Sequence, residues 1–324
     1  MASITKVIAA LVVLDARPLG PDEPGPTIAF TKADVDLYEK YYVLGATVQS
    51  MKPGATMSER DALKMLLVAS ASNYAEAVTN WAFGSPAGFR GAASAWLAKN
   101  GFASTRVVEP SGIDARNVST PAELLALGRI VAAHPVLSVI VQLPGLDVVG
   151  AKPANNSNFL LGTGGITGIK TGTLEPYGAN LLFSAKLDVG LTAPLDVIGV
   201  NLGSYDHSTI GREVPALLES IKAGFHTVPL IEQGVELGSY TTAWGEKATI
   251  VSGQSASVLT WSDSAVTVSA DTKAATTADA GARVGTLTFV SGATTVEVPL
   301  ELREAIREPT DWWRLTHPSE LFGW

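Results

Sequence analysis

Val7-Ile-Ala-Ala-Leu-Val-Val-Leu14 is apolar on every side of a helix, with no polar stripe to turn toward water. A segment of that kind suits a helix buried in the middle of a domain, because an amphipathic surface helix keeps one face polar. It is also far short of the roughly 20 residues needed to cross a bilayer. A domain that wraps such a helix has to be large, and 324 residues with 46% hydrophobic content supply one large core and a smaller second domain. Because Lys6 precedes the run, a second description is open: the apolar region of a secretory signal, for which roughly 7–15 residues suffice. Under that description residues 1 to 16 would be removed, and the motifs below would lose the serine they serve.

After the run comes Pro18-Leu-Gly-Pro-Asp-Glu-Pro-Gly-Pro26, too dense in Pro and Gly for regular structure and therefore expected to be an exposed loop. Residues 33–48 show no clear period. Ser58-Glu-Arg-Asp61 resembles a capping box ahead of Leu63, Leu66 and Leu67, so a helix is expected from near Ser58 to about Val68. Phe89, Ala92, Ala93, Trp96 and Leu97 recur at helical spacing before the Asn100-Gly101 stop, and another helix is expected over 121–133. Leu181 to Phe183 and the alternation of Val200 and Leu202 with Asn201 read as strands, and Val214, Leu217, Leu218 and Ile221 as a helix that ends at Gly224.

From about Thr227 the composition shifts to Thr, Ser, Val and Gly. Val296, Val298, Leu300 and Leu302 alternate with Glu297, Pro299 and Glu301, as in a half-buried strand, and Val266 with Val268 and Leu287 with Phe289 repeat the pattern. The expected organisation is therefore a mixed helix-and-sheet domain over residues 1–226 and an all-β domain over 227–324. A net charge of −8 argues against a nucleic-acid partner, because phosphate binding needs a basic surface. There is no cysteine, which removes disulfides and thiolate chemistry. His134, His207, His226 and His317 lack metal-ligand spacing and are read as structural or surface residues.

Ser3-Ile-Thr-Lys6 carries the first chemical signal. A serine hydroxyl is a poor nucleophile until a base takes its proton, and a lysine three residues on along a helix lies on the same face. Ser3 at the helix start also places its N–H at the positive end of the helix dipole, where an oxyanion is stabilised. The pattern is weak by itself. Lys170-Thr-Gly172 with Thr173 adds a fixed positive charge, two hydroxyls and a glycine against which a substrate can lie close. Alone, that segment is an exposed strand-to-turn stretch. Ser70-Ala-Ser-Asn73 offers a hydroxyl to pass a proton to a leaving amine and an amide to hold a substrate backbone, although by themselves Ser70 and Asn73 are helix-cap residues.

The three elements in this order, serine-lysine, serine-asparagine and lysine-threonine-glycine, resemble the low-molecular-mass penicillin-binding proteins, the serine-type D-alanyl-D-alanine carboxypeptidases. Glu109-Pro-Ser-Gly-Ile-Asp114 with Asn117-Val-Ser-Thr120, and Asn156-Ser-Asn-Phe-Leu-Leu161, resemble further blocks of that family. The resemblance covers residues 1 to about 225, and the β-rich tail resembles the second domain that many members carry. It implies an α+β penicillin-binding fold, an antiparallel sheet with a helical cluster, followed by the smaller all-β domain. It also implies Ser3 as the acylated nucleophile, Lys6 as its base, Ser70 as the proton relay, and Lys170 as the electrostatic partner of Ser70 and of the substrate carboxylate. Ser72, Asn73, Thr171, Gly172 and Thr173 complete the substrate contacts, with the N–H groups of Ser3 and Thr173 forming the oxyanion hole. The implied substrate is the D-Ala-D-Ala end of a peptidoglycan stem peptide, β-lactams acylate the same serine, and no metal or organic cofactor is implied.

Two departures stand out. The family's second motif is Ser-x-Asn, whereas here Ser70-Ala-Ser72 precedes Asn73, so either Ser72 occupies the amide position or Asn73 reaches it after a local shift. Family members also place a targeting segment and the first sheet strands ahead of the serine, where here only Met1 and Ala2 stand. The expectation is a shortened version of a longer exported protein, extracytoplasmic in full length, with a strand edge exposed. A non-catalytic module that holds cell-wall peptides is the alternative function, and a β-lactamase would need a dedicated base for water. The aromatic tail Asp311–Trp324 is expected either to pack on the β domain or to touch a membrane interface peripherally.

Overall fold

The apolar run becomes the centre of the first structural unit. In the computed structural model, which describes residues 1–319, Ser3 lies in a 3₁₀ turn (Ala2–Ile4) that feeds α1 (Thr5–Ala16). Every residue from Val7 to Leu14 is at most 5% exposed. Around it pack α3 (Glu59–Leu67), α4 (Ser72–Phe83) and α5 (Pro86–Lys99), which hide the faces that would be wet on a surface helix. The chain divides into two compact units, Met1–Ser220 and a second beginning at Ile221.

The helix expected from Ser58 is α3, with the Ser58 hydroxyl accepting from the Asp61 N–H at 3.1 Å. Residues 33–48, without period in the sequence, contain α2 (Lys32–Val43), started by a capping box between Thr31 and Asp34. A two-stranded ribbon of β1 (Thr27–Ala29) and β2 (Thr56–Ser58) flanks it. Beyond α5 come α6 (Pro121–Ala133) and α7 (Leu137–Val141), then the short pair β3 (Gly145–Leu146) and β4 (Ala154–Asn155).

The main sheet of this unit is antiparallel in the order β5 (Ile166–Thr173), β6 (Ala179–Leu187), β7 (Leu195–Ser204). α6 lies on it so closely that a Cβ at Gly128 would fall 2.5 Å from Ile198 and 3.2 Å from Leu182. β5 forms one edge and β7 the other, and among the described residues the outer side of β7 has no strand partner. The helix α8 (His207–Ala223) follows β7.

In the second unit β8 (Phe225–Ile231) pairs with β11 (Ala256–Trp261). A five-stranded antiparallel sheet runs β12 (Thr267–Thr272), β13 (Arg283–Ser291), β14 (Thr294–Leu302), β10 (Lys247–Ser252), β9 (Glu236–Thr241). The alternation in β14 is the inward face of that sheet, with Val298, Leu300 and Leu302 at most 2% exposed. Val268 departs from its expected pattern, being 61% exposed, because β12 is an edge strand with little packed against it. A short helix, α9 (Asp311–Thr316), follows, and residues 320–324 of the aromatic tail lie outside the described residues.

Candidate active site

Ser3 reaches its position through strain and a close fit. Ala2 before it has φ +47°, in the left-handed region, which costs an L-residue on the order of 1 kcal/mol. The Thr5 hydroxyl ties the turn by donating to the Ala2 carbonyl at 2.8 Å. One turn on, the Lys6 ammonium is fully buried and lies 2.9 Å from Ser3 Oγ, and it also donates to the Ser111 carbonyl at 2.6 Å. Burial lowers the Lys6 pKa to about 7, against an opposing pull from the charge of Glu109. A lysine tuned to neutrality is able to accept the proton of an adjacent hydroxyl at physiological pH.

β5 runs past this turn as an edge strand. A Cβ at Gly172 would fall 2.9 Å from Ser3 N and 3.0 Å from the Ala2 side chain, so only glycine lets the strand approach. Lys170, two residues earlier, is fully buried beneath the strand rather than in the open. Its ammonium donates to Ser157 Oγ at 2.7 Å and to the Thr171 carbonyl at 3.2 Å, while the Thr171 hydroxyl donates to the same Ser157 oxygen at 2.9 Å. Burial first and the Lys6 charge second hold its pKa well below the usual amine range. A cleft of about 600 Å³ opens over these groups, lined by Ser3, Ser70, Ser72, Ser157, Thr171, Gly172 and Thr173, among others.

The sequence profile of the D-alanyl-D-alanine carboxypeptidases matches residues 1–203. The chain belongs to that family. Among its relatives, the D-alanyl-D-alanine carboxypeptidase DacD of Salmonella typhimurium is 26% identical over 260 residues, 78% of this chain and 64% of that protein. The chain thus spans less than two thirds of that relative's length. A D-alanyl-D-alanine endopeptidase of Escherichia coli is 35% identical over 140 residues, 42% of this chain and 41% of the relative. The fold is that of penicillin-binding protein 5 from Haemophilus influenzae, with a TM-score of 0.61 at 20% identity over 95% of this chain and 90% of that one. Penicillin-binding protein 6B from Escherichia coli gives 0.62 at 22% identity, covering 92% and 86%.

Within this carboxypeptidase-family cleft the second motif divides its residues. Ser70, also left-handed at φ +58°, and Ser72 both line the cleft. Asn73 does not. Its side chain is fully buried, accepting from the Gln49 N–H at 3.1 Å and donating to the Gln49 carbonyl at 2.8 Å. Both ends of the amide are therefore used on backbone, and of the two candidates for the amide position it is Ser72 that faces the cleft. Neither Ser70 nor Asn73 acts as a helix cap, since Ala71 is the N-cap of α4 and makes no side-chain cap bond.

Two groups in the cleft escaped the reading of the sequence. His207, taken there as structural or surface, lines the cleft with Nε2 2.7 Å from the Thr173 hydroxyl. Its pKa is lowered by burial and then by the Lys170 charge, with Asp206 opposing. Ser157 lies in the Asn156–Leu161 block that resembles the family, and its hydroxyl is the group that meets both Lys170 and Thr171. A lone histidine with no spacing partner gives no signal in a sequence. For Ser157 the flanking asparagines were the usable clue: Asn156 donates to the Leu143 carbonyl at 2.8 Å and accepts from the Asn158 N–H at 2.8 Å, fixing the turn.

Proposed function

We propose that this protein is a serine DD-carboxypeptidase that removes the terminal D-alanine from D-Ala-D-Ala stem peptides of peptidoglycan through an acyl-enzyme on Ser3. The observation that carries the reading is the buried Lys6 ammonium at 2.9 Å from Ser3 Oγ, beneath a cleft that Ser3 lines together with the adjoining edge of β5. Neutral Lys6 takes the hydroxyl proton as Ser3 Oγ attacks the carbonyl carbon of the penultimate residue. The N–H groups of Ser3 and Thr173 hold the oxyanion. Collapse of that intermediate breaks the peptide bond, and Ser70 passes a proton to the departing D-alanine nitrogen. Water then cleaves the ester and restores Ser3.

The substrate's free carboxylate belongs at the Thr171–Thr173 end, above Lys170. An extended peptide there also adds to the open edge of β5, so that main-chain hydrogen bonds align the scissile bond with Ser3. A β-lactam, whose ring opens on attack by the same hydroxyl, is the stable mimic of this step. Because stem peptides lie outside the cytoplasmic membrane, the protein works in the cell envelope. Trp312 and Leu315, each 74% exposed on α9, support a peripheral membrane contact of the tail, for which co-sedimentation with anionic vesicles, with and without residues 311–324, is the measurement.

Intact mass after incubation with benzylpenicillin tests the central claim. The wild type is expected to gain one penicilloyl adduct, mapping to Ser3, and Ser3→Ala none. Absence of an adduct on the wild type, or its survival in Ser3→Ala, overturns the proposal.

A further inference from the structure

The turn at residues 109–117 is built around one carboxylate. Glu109 Oε2 accepts from the Ser111 N–H at 2.7 Å and from the Ser111 hydroxyl at 2.6 Å. Its Oε1 accepts from the Gly112 N–H at 2.7 Å, the Asp114 N–H at 3.3 Å and the Asn117 amide at 2.6 Å. A carboxylate is an acceptor only, and both of its oxygens are engaged by donors that a neutral side chain would leave partly unmet. The same turn lies directly on the nucleophile's segment. Gly112, at φ +86°, sits so near that a Cβ there would fall 1.9 Å from the Ala2 carbonyl oxygen and 2.9 Å from Ser3 N. Between these contacts the Ser111 carbonyl meets Lys6 at 2.6 Å.

We infer that Glu109 is a positioning residue for the acylation step: it folds the 109–117 turn into the shape that seats the Ser111 carbonyl on Lys6, and it brings a negative charge to the lysine's buried site. The inference rests on the proposed role of Ser3 and Lys6 and adds a residue to it. Glu109 does not line the cleft and touches no reacting atom. It acts when Lys6 receives the Ser3 proton, since a buried ammonium is formed at that moment and desolvation opposes it. Ser111 supplies one dipole to the new cation and Glu109 supplies charge, which matches the direction in which Glu109 moves Lys6. Other charged or titratable groups of the region do not replace it. Lys170 on β5 has the wrong sign, Tyr41 on α2 is a phenol pushed far up by burial and by Glu76, Glu76 on α4 is itself paired with Lys40 at 2.5 Å and accepts from the Tyr41 hydroxyl, and Asp114 is spent on Arg116 at 2.6 Å.

The measurement is the second-order rate of acylation by a fluorescent penicillin between pH 5 and 9, on the full chain, for the wild type, Glu109→Gln and Glu109→Asp. In the wild type the rate is expected to climb through about 7, where Lys6 loses its proton. Glu109 raises the Lys6 pKa, so its neutralisation lowers that pKa. In Glu109→Gln the acid limb is therefore expected to move to lower pH, while the plateau falls on the order of 10- to 100-fold through a weaker base and a looser turn. A purely structural role lowers the plateau and leaves the limb in place, and that outcome overturns the inference. Should Glu109→Gln not fold, Glu109→Asp is read alone, because it keeps the charge but draws it back by one methylene. A smaller plateau with a limb displaced in the same direction is expected there, and wild-type behaviour refutes the idea. Failure of the wild type to acylate at Ser3 is a separate result that removes the proposed function itself.

Discussion

Two lysines meet under one cleft, and their surroundings differ in a way that separates their work. Both are fully buried, and burial is the first cause that takes each below the ordinary range of an amine. Lys6, on α1, has a hydroxyl and a carbonyl as neighbours and a carboxylate that pulls its pKa back up, leaving it near 7. Lys170, on β5, has only oxygen dipoles as partners, and its second influence is another cation, Lys6 itself. A buried amine with an acidic counterweight can cycle between charged and neutral forms, which is what a base must do. A buried amine with no counter-charge is incomplete until an anion arrives, and that suits it to a substrate carboxylate. In the proposed mechanism the same desolvation would serve proton transfer at Lys6 and anion capture at Lys170.

Replacing Lys6 by Met breaks the first half of this contrast and should have the largest effect. The acylation rate is expected to fall on the order of 10²- to 10⁴-fold, the usual contribution of a positioned general base. The residual rate should lose the rise with pH through about 7 expected of the wild type, since the group that deprotonates there is gone. A residual profile still rising through that pH would assign the titration to another group. Stopped-flow acylation across pH reads both quantities.

Lys170→Met addresses the other half. A charge-assisted hydrogen bond contributes about 1.5–3 kcal/mol, so the second-order rate with a substrate bearing a free terminal carboxylate should drop roughly 10- to 100-fold. The corresponding C-terminal amide should lose much less. The pH sign is opposite to that of Lys6: as pH rises Lys170 loses its proton, so carboxylate recognition weakens toward alkaline pH in the wild type, and this limb disappears in Lys170→Met. Equal losses for acid and amide would show that Lys170 supports the strand rather than the anion.

The two halves were not equally legible in the sequence. Ser3 and Lys6 are neighbours along one helix, so their contact follows from helical spacing, and the all-apolar run that buries Lys6 can be read directly. The family and the mixed fold could be read as well, because each is written in local period and motif order. Residues that become neighbours only through tertiary folding could not. Ser157 reaches Lys170 across the turn that precedes β5, with only its flanking asparagines as a local sign, and His207 reaches Thr173 from the start of α8 with no periodic or spaced partner to betray it. Asn73 shows the converse failure. Its residue type fits a substrate amide, but an unpaired backbone segment at Gln49 claims it, a competition that no motif displays. α2 lacks a clean apolar stripe, and the capping box between Thr31 and Asp34 is the local sign of where it starts.

Ser157→Ala sharpens the contrast at its finest point. The Ser157 oxygen accepts from both Lys170 and Thr171, so both of its lone pairs are occupied, and among the described residues its own proton has no acceptor and can serve one in the cleft it lines. Through that proton the charge of Lys170, buried beneath, is carried to the surface of the cleft. Removing the hydroxyl takes away one neutral hydrogen bond, about 1 kcal/mol or roughly fivefold in affinity for the carboxylate substrate. Two signs should accompany the loss. The rise of acylation through about 7 stays where it is, because Lys6 keeps its neighbours, and the acid-over-amide preference narrows in the same direction as in Lys170→Met but by less. In the double variant Ser157→Ala/Lys170→Met the serine effect should shrink, since a hydroxyl no longer polarised by the ammonium donates more weakly. Additive losses would mean that the two residues hold the substrate separately.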